Sequence, residues 1–235
     1  MIGPLIGMVH LGPLPGAPRF GGDLETVLSA ACADAHALEE AGFNALLVEN
    51  YGDRPFFADD VPKATVAALA RAVAEVRRSV QIPVGVNVLR NDAPAALAVA
   101  AAAGASFIRV NVLSGTMYTD QGPIRGRAAE VARLRAGLCP AVAVLADVFV
   151  KHAFPPPGLT LEQAATDTWE RGGADGLIVT GTGTGRETSL DDLRRVKAAA
   201  PAAPVYAGSG VTAESVASVL GVADGVIVGT TLKRE

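Results

Sequence analysis

Asp147 lies within A-V-A-V-L-A-D-V-F-V-K-H (141–152), a run that reads as a strand for its first ten residues. Val142, Val144, Val148 and Val150 alternate along one face; Leu145, Asp147, Phe149 and, if the strand runs on, Lys151 take the other. Valines alone would mark a buried strand. An ionised carboxylate among them costs several kcal/mol unless it is paired or faces a polar cavity. Three kinds of chemistry fit Asp147: general base or acid, metal ligand, or plain ion-pair partner. Lys151 fits a Schiff-base amine, a phosphate contact or the counter-ion of Asp147, and only the first needs a depressed pKa.

The same alternation assigns an inward residue to each of the other strands, because apolar side chains must face the helices. In the first, Leu5 and Val9 are outward, leaving Ile6, Met8 and His10 inward. Glu49 is inward in the second and Asn87 in the third. The fourth presents Arg109 and Asn111, and the sixth ends at Thr180. Polar residues therefore recur at inward strand ends, the pattern of an active-site rim. Arg109, one layer deeper than Asn111, is expected to pair with Glu49 or Asp147 and to be structural or pKa-tuning. His10 and His152 are candidate acids, bases or ligands. His10, Glu49, Asp147 and His152 could together bind a divalent metal, but no H-x-H or H-E-x-x-H spacing supports it, and no metal or other cofactor is assigned.

The last three strands end in small residues: V-T-G-T-G-T-G (179–185), A-G-S-G-V (207–211) and V-G-T-T (228–231). Glycines at a strand end ahead of a helix turn backbone N–H groups toward an anion. Gly208, Ser209, Gly210, Gly229 and Thr230 are thus the expected phosphate site, with Thr180–Gly185, Thr180 and Gly181 first, as a flexible lid or second anion contact and Arg186 nearby. A phosphate site after strands seven and eight recurs in parallel α/β barrels.

These residues need a scaffold, and one rhythm supplies it. Apolar runs at Leu5–Val9, Ala45–Val48, Pro83–Val88, Phe107–Val112, Ala141–Val148, Gly176–Val179, Pro204–Ala207 and Gly225–Val228 alternate with helical patterns. The helices are expected at about Leu24–Ala41, Lys63–Ser79, Pro94–Ala103, Arg127–Leu138, Leu161–Arg171, Leu190–Ala200 and Ala213–Leu220. Asp23, Thr160, Ser189 and Thr212 stand at N-cap positions, and Gly42, Gly104 and Gly172 follow helical runs as stops. Eight strands and seven helices imply an α/β fold, one (β/α)8 TIM barrel across residues 1–235. A doubly wound sheet is disfavoured, since H-L-G-P-L-P-G rather than G-x-G-x-x-G follows the first strand. The sequence stops at Lys233-Arg234-Glu235, where a final helix is expected. The stretches His10–Gly22, Asn50–Pro62, Leu113–Gly126 and Lys151–Leu159 read as long irregular loops on the C-terminal, ligand-binding face.

Composition narrows the class. The 20 basic and 24 acidic residues leave a net charge of −4, with no basic footprint for nucleic acid. No apolar run reaches the roughly 18–20 residues that span a bilayer, and the N-terminus lacks the basic region of a signal peptide, so a cytoplasmic location is expected. The two cysteines, Cys32 and Cys139, have no metal or redox spacing. With no final helix, Leu5, Val9, Val226 and Val228 would be exposed, which predicts a homo-oligomer.

The motifs also resemble a known family. H-L-G-P-L-P-G-A-P (10–18), E-N-Y-G-D-R-P-F (49–56), P-V-G-V-N-V-L-R-N-D (83–92), F-I-R-V-N-V-L-S-G (107–115), L-A-D-V-F-V-K-H-A (145–153), I-V-T-G-T-G-T-G (178–185), G-S-G-V-T (208–212) and D-G-V-I-V-G-T-T-L-K-R (224–234) look like the blocks of the BtpA family, nearly end to end. The resemblance implies a TIM barrel of the ribulose-phosphate-binding type. It also implies either a photosystem I biogenesis or stability role or, as in the SgcQ-like members, a sugar-utilisation context. Two functions follow. One is an enzyme of isomerase, aldolase/lyase or glycosidic-cleavage type on a phosphorylated metabolite. In it Asp147 is acid or base, assisted by Lys151, Glu49 or His10. The other is a non-catalytic assembly factor.

Overall fold

The structure is a computed structural model and describes residues 2–181 and 187–229. In chain order it begins β1 (Leu5–His10), α1 (Leu24–Glu40), β2 (Ala45–Glu49), α2 (Lys63–Ser79), β3 (Val84–Asn87), α3 (Ala93–Ala103) and β4 (Phe107–Val110). A hairpin follows, β5 (Thr116–Thr119) and β6 (Gly122–Arg125), then α4 (Ala128–Leu138), β7 (Ala143–Asp147) and the short β8 (Ala153–Phe154). The remainder is α5 (Leu161–Thr166), β9 (Gly176–Val179), α6 (Leu190–Ala199), β10 (Val205–Ala207), α7 (Val216–Leu220) and β11 (Gly225–Val228). Eight strands close into a barrel in the order β1-β11-β10-β9-β7-β4-β3-β2, the fold the alternating sequence predicts. By contact density the chain groups into two compact units. One is Met1–Ile2, Gly7–Arg109 and Glu130–Ala143; the other is Gly3–Ile6, Val110–Ala129 and Val144–Glu235.

Inward positions are filled by matching large side chains with glycines. In the first unit Gly85 pairs in register with Phe107, and a Cβ on Gly85 would lie 2.4 Å from the Phe107 ring. In the second, Cβ atoms on Gly176 and Gly225 would each meet a side chain at 2.7 Å, Leu145 in one case and Tyr206 in the other. The latter two glycines belong to a repeated hexapeptide, A-D-G-L-I-V (174–179) and A-D-G-V-I-V (223–228). Its aspartate fastens the neighbouring strand. The Asp175 backbone N–H donates to the Val144 carbonyl at 2.8 Å, and its carboxylate accepts the Val144 N–H at 2.8 Å. Asp224 does the same to Val205, at 2.8 Å both ways, and its carboxylate also holds Lys197 Nζ. One tripeptide thus sets register through the Asp and opens lumen space through the Gly.

The structure departs from the sequence expectation in four places. Two stretches read as irregular, Leu113–Gly126 and Lys151–Leu159, instead contribute β5, β6 and β8, an antiparallel sheet in the order β6-β5-β8. The hairpin turns at Asp120–Gln121, with Gly122 at φ +89 and Pro123 on the edge strand, where its missing N–H removes no ladder bond. These strands are too short for periodicity to reveal. Thr212 and Ser215 exchange hydrogen bonds in the reciprocal pattern of a capping box and the Thr212 carbonyl accepts the Val216 N–H at 3.0 Å, but the regular helix α7 starts only at Val216. The helix expected to run to Arg171 passes into a π turn at Asp167–Arg171, and Gly173 rather than Gly172 takes the left-handed backbone, at φ +69. The apolar patch predicted for an oligomer is not open either. Val9 and Val226 are fully buried, while Leu5 and Val228 are half-buried. Leu38 and Phe43 lie over β1 at Gly7, and α7 packs on β11. Asp23, Thr160 and Ser189 cap as expected, each accepting an N–H from the first turn, and Gly104 ends α3 at φ +74.

Two measurements test this account. Gly85→Ala should lower stability in urea by about 1–3 kcal/mol, and most of that loss should vanish when it is introduced into Phe107→Leu, since the three atoms nearest the added methyl are all on the Phe107 ring. Partial burial pushes the Asp224 carboxyl up, but Lys197 and the Val205 N–H outweigh it and hold the group below its ordinary 3.8. A depressed carboxyl adds stability above that value and loses it as pH falls through the folded-state value. Asp224→Asn should therefore flatten the loss of stability between about pH 5 and pH 2. The difference should be under about 1 kcal/mol, because the pair is largely solvated.

Candidate active site

In the first unit, β2 and β3 bring Glu49 and Asn87 opposite each other in register at their C-terminal ends. Asn87 Nδ2 donates to Glu49 Oε2 at 2.6 Å, and both residues are buried. His10, at the end of β1, places Nε2 3.7 Å from Glu49 Oε1. Arg109 is buried on β4, in register with Asn87. Strand alternation thus brings together the polar ends it predicts here.

It does not reveal what stands beside them. The His10 ring stacks on Tyr51 at 4.4 Å and 18°, and the Arg54 guanidinium lies 4.3 Å from the same Tyr51 ring centroid. Tyr51 belongs to a 3-10 turn, Tyr51–Asp53, directly after β2. Gly52 lets this turn press against the loop after β1: its N–H donates to Leu11 O at 3.0 Å, and a Cβ would lie 2.4 Å from the Pro13 nitrogen. The turn also lines a cleft of about 170 Å³ with Pro18, Phe56, Val61 and Leu89. Within it, Asn50 Nδ2 and the Leu14 N–H donate to Asp53, whose carboxyl burial nevertheless pushes up. The motif E-N-Y-G-D-R contains these residues, but their roles depend on how two loops meet.

In the second unit, Asp147 is the last residue of β7 and Asn111 immediately follows β4. Asn111 Nδ2 donates to Asp147 Oδ2 at 3.2 Å, with the two residues 3% and 2% exposed. The strand does not run on to Lys151. After the Val148 N–H donates to Ile178 O the chain turns, so Lys151 is half-buried in that turn. His152 is exposed, with a left-handed backbone at φ +59 that is uncommon outside glycine and recurs at functional sites.

The Gly-rich strand ends knit together. Thr180 Oγ1 donates to Phe149 O at 2.9 Å, and the Gly181 N–H donates to Ser209 Oγ at 2.8 Å. Thr188 Oγ1 donates to the Ser209 carbonyl at 2.9 Å. Gly208 is tightly confined, since a Cβ there would meet Ile178 at 2.5 Å, and Gly210 adopts φ +68. The helix expected at about Ala213–Leu220 is regular only over its last 5 residues, Val216–Leu220. Any anion here is met by loop N–H groups. Gly229 is half-buried at the end of β11. Thr230, Arg186 and residues 182–185 lie outside the described residues. Among the described residues no three His, Cys, Asp or Glu side chains gather as a metal site. No helix among them is long and apolar enough to cross a membrane.

A family model described as the BtpA family matches residues 1–235. The chain belongs to the BtpA family. Within it, the chain is 48% identical to the Photosystem I biogenesis protein BtpA of Synechocystis sp., covering 98% of this chain and 80% of that one. It is 32% identical to the putative sgc region protein SgcQ of Escherichia coli, covering 98% and 86%. Among solved structures, this BtpA-family barrel is similar to the N-acetylmannosamine-6-phosphate 2-epimerase from Clostridium perfringens. The TM-score is 0.63 at 13% identity, covering 98% of this chain and 88% of that one; the likeness is one of fold.

The Glu49–Asn87 pair gives a stability test. Asn87→Leu should cost about 1–3 kcal/mol in urea unfolding, because it leaves a buried carboxylate without its amide donor. Glu49→Leu in the same chain should recover much of the loss, since removing both partners leaves nothing unsatisfied. Additive losses in the double variant would disprove the pairing.

Proposed function

We propose that this BtpA-family chain is an enzyme acting on a small phosphorylated, sugar-like metabolite at the C-terminal face of its barrel. Asp147 carries the reading: a carboxylate 2% exposed at the end of a valine-rich barrel strand, oriented by Asn111 at 3.2 Å. Strand ends of this kind hold the catalytic groups of TIM-barrel enzymes. In the proposed roles Asp147 moves a proton to or from the substrate, and Lys151 stabilises the charge that develops. The loop N–H groups of Ser209, Gly210 and Gly229 hold the phosphate; the Gly208 N–H is spent on the Val179 carbonyl at 2.8 Å, and Thr230 lies outside the described residues. Glu49 with His10 and Asn87 is a second acid–base group that the same barrel offers. The fold-similar epimerase is named for a sugar 6-phosphate, which agrees with this substrate class. Isomerisation, aldol or retro-aldol cleavage and glycosidic cleavage all use such a set.

Isothermal titration with D-ribose 5-phosphate, D-glucose 6-phosphate and inorganic phosphate tests the binding half. A phosphate ester should bind, and Ser209→Asp, which sets a negative charge in the phosphate loop, should weaken it by at least about tenfold. A metabolite library screened by thermal shift then supplies substrates for turnover assays. Asp147→Asn should retain phosphate-ester binding while losing turnover by about a hundredfold or more. Unchanged turnover in that variant removes Asp147 from the mechanism. No binding of any phosphate ester would favour the non-catalytic photosystem I or assembly role.

A further inference from the structure

Asn111 has an unmet demand. It is 3% exposed, and its Nδ2 donates to Asp147, yet its Oδ1 is buried with no hydrogen-bond partner among the described residues. A buried acceptor left unsatisfied is uncommon and costs about 1–3 kcal/mol. Turning the amide over gives no relief, because it would point Oδ1 at the Asp147 carboxylate and lose the existing bond. Asp147 therefore fixes which end of the amide is free. The other such atom among the described residues, Gln121 Oε1, lies in the β5–β6 turn, where its amide nitrogen donates to Asp120. Of these two atoms, only Asn111 Oδ1 stands at a barrel-strand end beside a buried carboxylate.

We infer that Asn111 is the specificity-determining residue of the site and that its Oδ1 accepts a hydrogen bond from a substrate hydroxyl next to the carbon on which Asp147 acts. The inference rests on the proposed phosphorylated ligand and deepens it. Two adjacent acceptors, an amide oxygen and a carboxylate, suit adjacent hydroxyls of a polyol chain. They repel a carboxylate or a ketone oxygen at that position. The substrate class is therefore a hydroxylated sugar phosphate, in preference to a phosphorylated keto acid. A cation would also satisfy Oδ1, but the described residues gather no three metal-ligating side chains around it.

The test pairs each sugar phosphate with its monodeoxy analogues, D-ribose 5-phosphate with the 2-deoxy and 3-deoxy forms and D-glucose 6-phosphate likewise. Affinities are measured by titration calorimetry on the parent chain, Asn111→Ala and Asn111→Ser, each checked for its folded circular dichroism and melting transition. In the parent, removal of one particular hydroxyl should weaken binding about tenfold or more, and in both variants that discrimination should fall below about threefold. Should one variant fail to fold, the other carries the comparison. Should both fail, the parent's own tenfold discrimination still decides. Discrimination that persists in the variants, or none in the parent, overturns the inference while the phosphate reading stands. So does a melting-temperature rise with Mg²⁺ alone that Asn111→Ala abolishes, since Oδ1 would then be a cation ligand. Failure of every phosphate ester to bind removes both readings.

Discussion

A carboxylate buried at the end of an apolar barrel strand must be matched by a donor within hydrogen-bond reach, or it forces the strand apart or takes up a proton. This chain meets that constraint twice with the same tripeptide. V-N-V at 86–88 and V-N-V at 110–112 each put two valines on the helix side of a strand and one amide on the lumen side. Asn87 then meets Glu49, and Asn111 meets Asp147. In each pair the amide fixes the direction of the acid.

The barrel that presents these pairs is fastened at its opposite end by another repeated element. Asp175 and Asp224 bond Val144 and Val205 near the starts of the neighbouring strands, and Gly176 and Gly225 leave room for Leu145 and Tyr206. Register is thus pinned where the strands begin and used where they end. Because side chains alternate with a period of two, a one-residue slip would turn Asp147 outward against the helices. The register set at one end of the strands therefore fixes which side chains face inward at the other.

Where the chain leaves the barrel, the loops add chemistry of their own. Tyr51 carries His10 on its ring, and Arg54 lies over the same ring. Ser209 and Thr188 tie the glycine-rich strand ends together. Such bonds restrict the backbone groups that would meet an anion, so the loops are ordered by their own side chains in place of a long following helix.

By itself the sequence determined the eight barrel strands, nearly all helix boundaries and the inward placement of Glu49, Asn87, Arg109, Asn111 and Asp147. These follow from strand and helix periodicity and from the cost of burying polar groups, both local properties of a segment. Tertiary structure alone decided which acid meets which amide, that Tyr51 stacks on His10, and that the loops after β4 and β7 form a small sheet. It also decided that Asn111 Oδ1 is left without a partner among the described residues. Each of these depends on two segments far apart in the chain meeting in space, and no single segment's pattern carries that information.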